Sequence, residues 1–275
     1  MKEKKKHTLD KGSGIVLAIV AALTLAIAAG CVISLFSYYS SAAKSKEKLE
    51  ELALIKKELA EQIEYTSGSD DSGQPAEETD IFSEHEDMIG WLTIEGTDMD
   101  YPVMQTEKED GEYYLYRDFE GNEDINGTPF LDIRCELSNT KSNLLIHGHN
   151  MKSGYMFAEL LEYKEESHYK EHPVIYFETV FGKAEYAIFA AGLTQVANKG
   201  EEAFRYYDFT AYQTEEEFNY FVENIVKLSY YKTDIDVKYG DTLLTLSTCD
   251  RSIEDGRFFV VAKRIEEVEY ETFSK

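Results

Sequence analysis

Thr242–Arg264 reads TLLTLSTCDRSIEDGRFFVVAKR: two runs rich in β-branched, apolar and aromatic residues, separated by a short acidic loop with a glycine. Each run has the length and composition of a β-strand, and so short a connection turns the chain back on itself as a hairpin. The first run closes on Cys249 and the second opens at Arg257, so the hairpin would bring a thiol and a guanidinium to one rim of a sheet. Arg251, only two residues from Cys249, competes with Arg257 for that place.

Upstream, the same pattern recurs. Short runs at Gly90–Ile94, Tyr101–Met104, Pro129–Asp132, Asn143–Ile146, Val174–Phe177 and Ala184–Leu193 are bounded by turn residues such as Glu95-Gly96-Thr97. With the hairpin they supply the eight or so strands of a closed β-barrel. Two helical insertions interrupt them. One covers Tyr155–Tyr163, and the other starts at Thr214, where Glu217 three residues on forms a capping box ahead of Phe218, Phe221, Ile225 and Leu228.

The N-terminal part is organised differently. From Gly12 to Tyr39 no residue is charged, and Ile15–Phe36 is almost wholly apolar, long enough to cross ~30 Å of hydrocarbon as a helix. Lys2, Lys4, Lys5, Lys6 and Lys11 precede it, so the positive-inside bias keeps the N-terminus in the cytoplasm and sends the remainder outside. A cleaved signal peptide shares the basic start, but the run is longer than a usual apolar signal core and only Ser40-Ser41-Ala42-Ala43 resembles a cleavage site. Residues 42–64 repeat apolar positions at Leu49, Leu52, Ile55, Leu59 and Ile63, the spacing of a helical stalk. Thr66–Thr79, TSGSDDSGQPAEET, reads as a flexible linker. The expected organisation is a cytoplasmic basic tail (1–11), a transmembrane anchor (12–39), a stalk and linker (40–80) and an extracellular domain (81–275).

Composition excludes one class of partner. With 53 acidic against 28 basic residues the net charge is −25, so there is no surplus of cations to bind a phosphate backbone, and nucleic acid is discarded. Cys31, Cys135 and Cys249 lie far apart, without the spacing of a metal knuckle or a disulfide framework.

Chemistry therefore rests on single residues. A cysteine at a strand end has its backbone fixed by the scaffold while the following loop leaves room for substrate. A base is available in His147-Gly148-His149-Asn150, which follows the strand Asn143–Ile146 and holds two of the six histidines. A zinc site of His147, His149 and Cys249 would lack a fourth ligand. An arginine at the start of the next strand is permanently charged and can donate several hydrogen bonds to a developing oxyanion.

Thr245-Leu246-Ser247-Thr248-Cys249, with Arg257 eight residues beyond the cysteine and a hydrophobic strand after it, resembles the T-L-x-T-C…R signature of sortases. Leu144–Met151, LLIHGHNM, is similar to that family's G-H motif, in which the catalytic histidine follows glycine; the resemblance selects His149 over His147. Ile89–Thr97, Asp100–Val103, Tyr113-Tyr114-Leu115 and Phe130-Leu131-Asp132 resemble class B members, and a long helix between the sixth and seventh strands is a class B trait. The match covers Ile81 to Arg264. It implies an eight-stranded, mainly β sortase-type barrel with inserted helices, with Cys249 as nucleophile, His149 as acid/base and Arg257, rather than Arg251, as oxyanion stabiliser. The implied substrates are secreted proteins bearing a C-terminal sorting motif, cleaved after threonine. The acyl group would pass through a thioester to a peptidoglycan amine, with no cofactor and no metal. Ser247 has the strand parity to share the face of Cys249 and to hydrogen-bond substrate. An extracellular cysteine hydrolase and a pilin-polymerising sortase are the alternatives. The class C enzymes usually carry a second membrane span near the C-terminus, and this chain ends at Glu-Thr-Phe-Ser-Lys without one.

Overall fold

The computed structural model describes residues 11–67, 81–107, 110–197 and 203–265. Residues 1–10 of the expected basic tail and 68–79 of the expected linker lie outside them. One helix, α1 (Lys11–Ser67), carries both the apolar run and the Glu/Lys-rich segment after it. The sequence reading separates these as anchor and stalk, but no proline or glycine after Gly30 interrupts the i→i−4 ladder between them.

The chain divides into two compact units, Met1–Lys44 and Ser45–Lys275. In the first, Ile15, Leu23, Leu25 and Phe36 are exposed, and the helix is long and apolar enough to cross a membrane. In the second, the remainder of α1 packs on the folded domain. Leu49 and Leu52 are buried, and Lys56 Nζ lies 2.6 Å from the Glu178 carboxylate and 5.2 Å from the centre of the Trp91 ring.

Eight strands close a barrel: β1 (Met88–Thr93), β2 (Asp100–Met104), β3 (Phe130–Leu131), β4 (Asn143–His147), β5 (Val174–Thr179), β6 (Gly182–Gln195), β7 (Leu243–Asp250) and β8 (Gly256–Ile265). Their order is β1-β2-β3-β4-β7-β8-β6-β5, closed by the antiparallel pairing of β5 with β1. Only β2–β3 and β4–β7 run parallel. Closure removes the unpaired edges that an open sheet would expose. Leu92, Val103, Leu145, Ile175, Ile188, Leu244, Leu246 and Val260 are fully enclosed, and burial of such side chains is the main favourable contribution to folding.

Ahead of β1 lies α2 (Ile81–Glu84), and between strands the described residues form α3 (Glu166–Glu171), α4 (Glu215–Leu228) and 3-10 helices at Tyr113–Tyr116, Phe157–Lys164 and Tyr206–Asp208. The helix expected over Tyr155–Tyr163 starts two residues later. Met156 has φ 57° and bridges to Asn150, a conformation that a right-handed helix cannot contain. The helix α4 forms where the capping box places it: Glu217 N donates to Thr214 Oγ1 at 3.2 Å, and Thr214 N to the Glu217 carboxylate at 3.2 Å. Phe218, Phe221 and Ile225 are its buried face. Its C-terminus lies against β6, where a Cβ on Gly192 would stand 2.4 Å from the Leu228 carbonyl oxygen.

Candidate active site

The barrel order sets β7 between β4 and β8, and this brings together residues a hundred positions apart. On one side Cys249 is the cross-strand partner of Arg257. On the other, β4 runs parallel to β7 with His147 opposite Ser247. The pairing is prolonged past the end of β4, because Gly148 N donates to Ser247 O at 3.1 Å, Thr248 Oγ1 to Gly148 O at 2.7 Å and Asn150 Nδ2 to Cys249 O at 2.8 Å. Continued at the same offset, His149 falls beside Cys249. The backbones of His149, Cys249 and Arg257 therefore form a row across three neighbouring strand ends.

Side-chain parity puts Cys249 and Arg257 on the face that also carries Ser247 and His147. Thr245 Oγ1 donates to Asn143 Oδ1 at 2.7 Å, so the odd-numbered residues of β4 and β7 share a surface. The segment before α4 covers that surface: Phe209 O accepts from Asn143 Nδ2 at 2.8 Å, and its ring stacks on Phe221 at 4.0 Å.

His149 is held from several directions. Gly148 must be glycine, because a Cβ there would stand 2.6 Å from the ring of the fully buried Phe157. The His149 carbonyl accepts from Phe157 N at 2.9 Å, and Nε2 lies 2.8 Å from Leu115 O. A carbonyl oxygen only accepts, so Nε2 carries the hydrogen and Nδ1 presents its lone pair. Burial, with a further push from the Arg251 charge, lowers the imidazole pKa against the opposing effect of the Leu115 carbonyl. The ring is neutral at pH 7 as a result. Both arginines bond backbone carbonyls: Arg251 donates to Asn150 O at 2.7 Å and Arg257 Nη1 to Gly256 O at 3.2 Å, but of the two it is Arg257 that stands in register with the half-buried Cys249.

One pair behind the row lies a second polar layer that sequence reasoning missed. Tyr206 is wholly buried and its hydroxyl is 2.6 Å from Ser247 Oγ, so the hydroxyl expected to meet substrate is engaged within the protein. His147 Nε2 faces Asp132 Oδ2 at 3.2 Å rather than Cys249, and Arg134 clasps the same carboxylate at 2.7 and 2.8 Å while donating to Tyr207 O at 2.6 Å. Burial works to raise the Asp132 pKa, but Arg134 and His147 hold it well below the usual carboxylate range. Forty-one residues separate Tyr206 from Ser247, so neither spacing nor a local motif could signal the contact. Cys135 is buried between Asn143 O and Leu145 N, both 3.4 Å from its sulfur, and burial pushes its thiol up to about 12.

A closed eight-stranded barrel of this order, with such a row at the ends of β4, β7 and β8, defines a cysteine transpeptidase of the sortase type. A family model described as Sortase domain matches residues 92–265, and the chain belongs to the sortase family. Two relatives, each described as Sortase B, are similar to it. The one from Listeria monocytogenes is 32% identical over 188 residues, covering 68% of this chain and 73% of the relative. The one from Staphylococcus aureus is 31% identical over 183 residues, covering 66% and 71%. Among solved structures, a Staphylococcus aureus sortase B–substrate complex aligns with a TM-score of 0.68 at 26% identity, covering 83% of this chain and 99% of the other. Sortase B from B. anthracis in complex with AAEK1 aligns at 0.66 and 25%, covering 83% and 100%. Class B is the branch to which these similarities assign it.

Proposed function

We propose that Cys249, His149 and Arg257 carry out the transpeptidation, and that the substrate is the C-terminal sorting motif of a secreted surface protein. The observation that carries this reading is the row His149–Cys249–Arg257 across β4, β7 and β8. The thiol proton passes from Sγ to the free Nδ1 of His149, and the sulfur attacks the carbonyl carbon of the motif's threonine. Arg257 donates to the oxygen on which negative charge then develops. Collapse of the tetrahedral intermediate breaks the C–N bond, and the imidazolium Nδ1–H protonates the departing amine. The thioester on Cys249 is resolved by a peptidoglycan amine, whose proton goes to Nδ1 while the sulfur leaves and is reprotonated. Sulfur and imidazole thus return to their starting states.

In this reading residues 12–39 of α1 anchor the enzyme in the cell membrane, with the N-terminus in the cytoplasm and the catalytic domain, 81–275, outside. Substrates arriving through the same membrane then meet it at a raised effective concentration. Support comes from the length and apolar character of the helix and from the lysines ahead of it. Substrate binding is supported by the likeness to the Staphylococcus aureus sortase B–substrate complex.

The test uses the full chain in detergent micelles with a panel of quenched fluorogenic sorting-motif peptides, with and without an added amine, products being identified by mass. The expected result is cleavage that Cys249→Ala abolishes, with an amide-linked product when amine is present. Cleavage that persists in Cys249→Ala would overturn the nucleophile assignment, and hydrolysed product alone in the presence of amine would favour a hydrolase.

A further inference from the structure

The carbonyl that fixes His149 belongs to the 3-10 helix Tyr113–Tyr116, and the loop that follows this helix has its charges compensated from α1. Oxygen-bearing side chains recur at every second position of this loop: Asp118, Glu120, Asn122, Asp124 and Asn126. Lys48 Nζ donates to Asp118 Oδ2 at 2.8 Å and to Glu120 Oε2 at 2.9 Å. One turn earlier, Ser45 Oγ donates to the Asp124 carboxylate and accepts from Asn126 Nδ2 at 2.9 Å. With Glu123, four carboxylates lie within seven residues, and their mutual repulsion opposes the tight loop unless a cation sits among them. Burial works to raise the Asp118 pKa, yet the Lys48 ammonium and Asn122 hold it below the usual carboxylate range. The other Asp118 oxygen accepts from Glu120 N at 3.1 Å and Asn122 N at 2.9 Å, so the carboxylate that Lys48 grips also shapes the turn.

The loop is tied in turn to the 3-10 helix Tyr113–Tyr116. Asp124 N donates to Tyr116 O at 3.0 Å, and Thr128 N to Tyr114 O at 3.0 Å. Gly127 adopts φ 61° and approaches Leu115 so closely that a Cβ would stand 2.3 Å from its carbonyl oxygen. That oxygen is the one receiving the Nε2–H of His149. We propose that Ser45 and Lys48 of α1 are positioning residues for catalysis: they clip the loop 117–127, the loop sets the Leu115 carbonyl, and that carbonyl fixes the tautomer and orientation of His149. The proposal rests on the acid/base role of His149 given above. It makes the helix that leads to the anchor a working part of the acid/base side of the site.

The test uses the full chain in detergent micelles, with the quenched peptide that the wild type cleaves fastest as probe and iodoacetamide as a second, substrate-independent probe of Cys249. Misplacing a catalytic group by an ångström costs up to ~10²-fold in rate, and a loosened carbonyl is a milder fault. Lys48→Ala is therefore expected to lower kcat about tenfold with KM within about twofold, and to shift the pH profile of Cys249 alkylation. Lys48→Arg, which keeps a donor cation, restores both. If Lys48→Ala does not fold, Asp118→Asn supplies the same test with little change of shape. Folded variants with wild-type kcat and an unaltered alkylation profile, or a change confined to KM, would overturn the clip. Cys249→Ala run in parallel separates the two readings: turnover persisting there defeats the catalytic assignment, whereas its loss beside an unaffected Lys48→Ala defeats the clip alone.

Discussion

The two flanks of Cys249 are assembled by different physics. On the β8 side Arg257 arrives through a hairpin, eight residues further along the chain, and the pairing continues without interruption from Leu243↔Lys263 to Asp250↔Gly256. On the β4 side His149 arrives from a hundred residues away, past the end of its strand, and is held by its own bonds to Leu115 O and Phe157 N and by those that tie its neighbours Gly148 and Asn150 to Thr248 and Cys249. The charged side is consequently a local structure, cheap in loop-closure entropy. The side proposed for acid/base chemistry is a long-range one, whose accuracy depends on several separate contacts. Perturbation of the first should remove chemistry and leave the fold, while perturbation of the second should disturb fold and chemistry together.

Arg257→Ala breaks the contrast most directly and carries the largest expected effect. Neighbouring pairs such as Thr248↔Phe258 hold the hairpin without its side chain, so the melting temperature should stay within a few degrees while kcat falls by ~10²-fold or more. Arg257→Lys should recover little, because a compact ammonium lacks the forked donors of a guanidinium. Arg251→Ala provides the comparison, since its side chain is committed to Asn150 O and a much smaller loss is expected. Steady-state kinetics and calorimetry on the three variants decide the matter. A dead Arg251→Ala beside an active Arg257→Ala would reverse the assignment.

Gly148→Ala tests the other flank. Any side chain there drives into Phe157, a fully enclosed ring whose backbone amide also bonds the His149 carbonyl. Overpacking of this kind costs about 1–3 kcal/mol, and relief of the clash would move residue 149. Denaturant unfolding should show that loss together with a fall in kcat. Full stability with reduced kcat, or unchanged values of both, would mean that this flank is less coupled to the core than the contacts indicate.

What could be read beforehand follows the same division. All eight strands, the hairpin and the capping box of α4 are signalled by residues near one another in sequence, through alternation, turn chemistry and the Thr214/Glu217 pair. The contacts that set the site accurately are not signalled in this way. Tyr206 on Ser247, Arg134 on Tyr207 O and Lys48 on Asp118 span 41, 73 and 70 residues, and nothing in the local composition of either partner identifies the other. Family resemblance selected His149 over His147. In the structure His147 Nε2 is directed to Asp132.

The smallest effect expected is also specific to the long-range flank. His149 is neutral in the folded protein because burial lowers its pKa, aided by Arg251. In the unfolded chain it titrates near the ordinary value of ~6.5. Between the lowered folded value and ~6.5 the unfolded state binds more protons, so stability rises with pH across that window and is lost as pH falls through it. His149→Gln keeps an amide N–H that can reach Leu115 O and removes the titration. Its stability should therefore fall less between pH 7 and pH 5 than that of the wild type, the difference isolating His149 from His168, whose pKa burial also lowers. Parallel stability curves for the two proteins would show that residue 149 is solvated in solution. The β4 flank would then be as loosely built around the thiol as the β8 flank is firm.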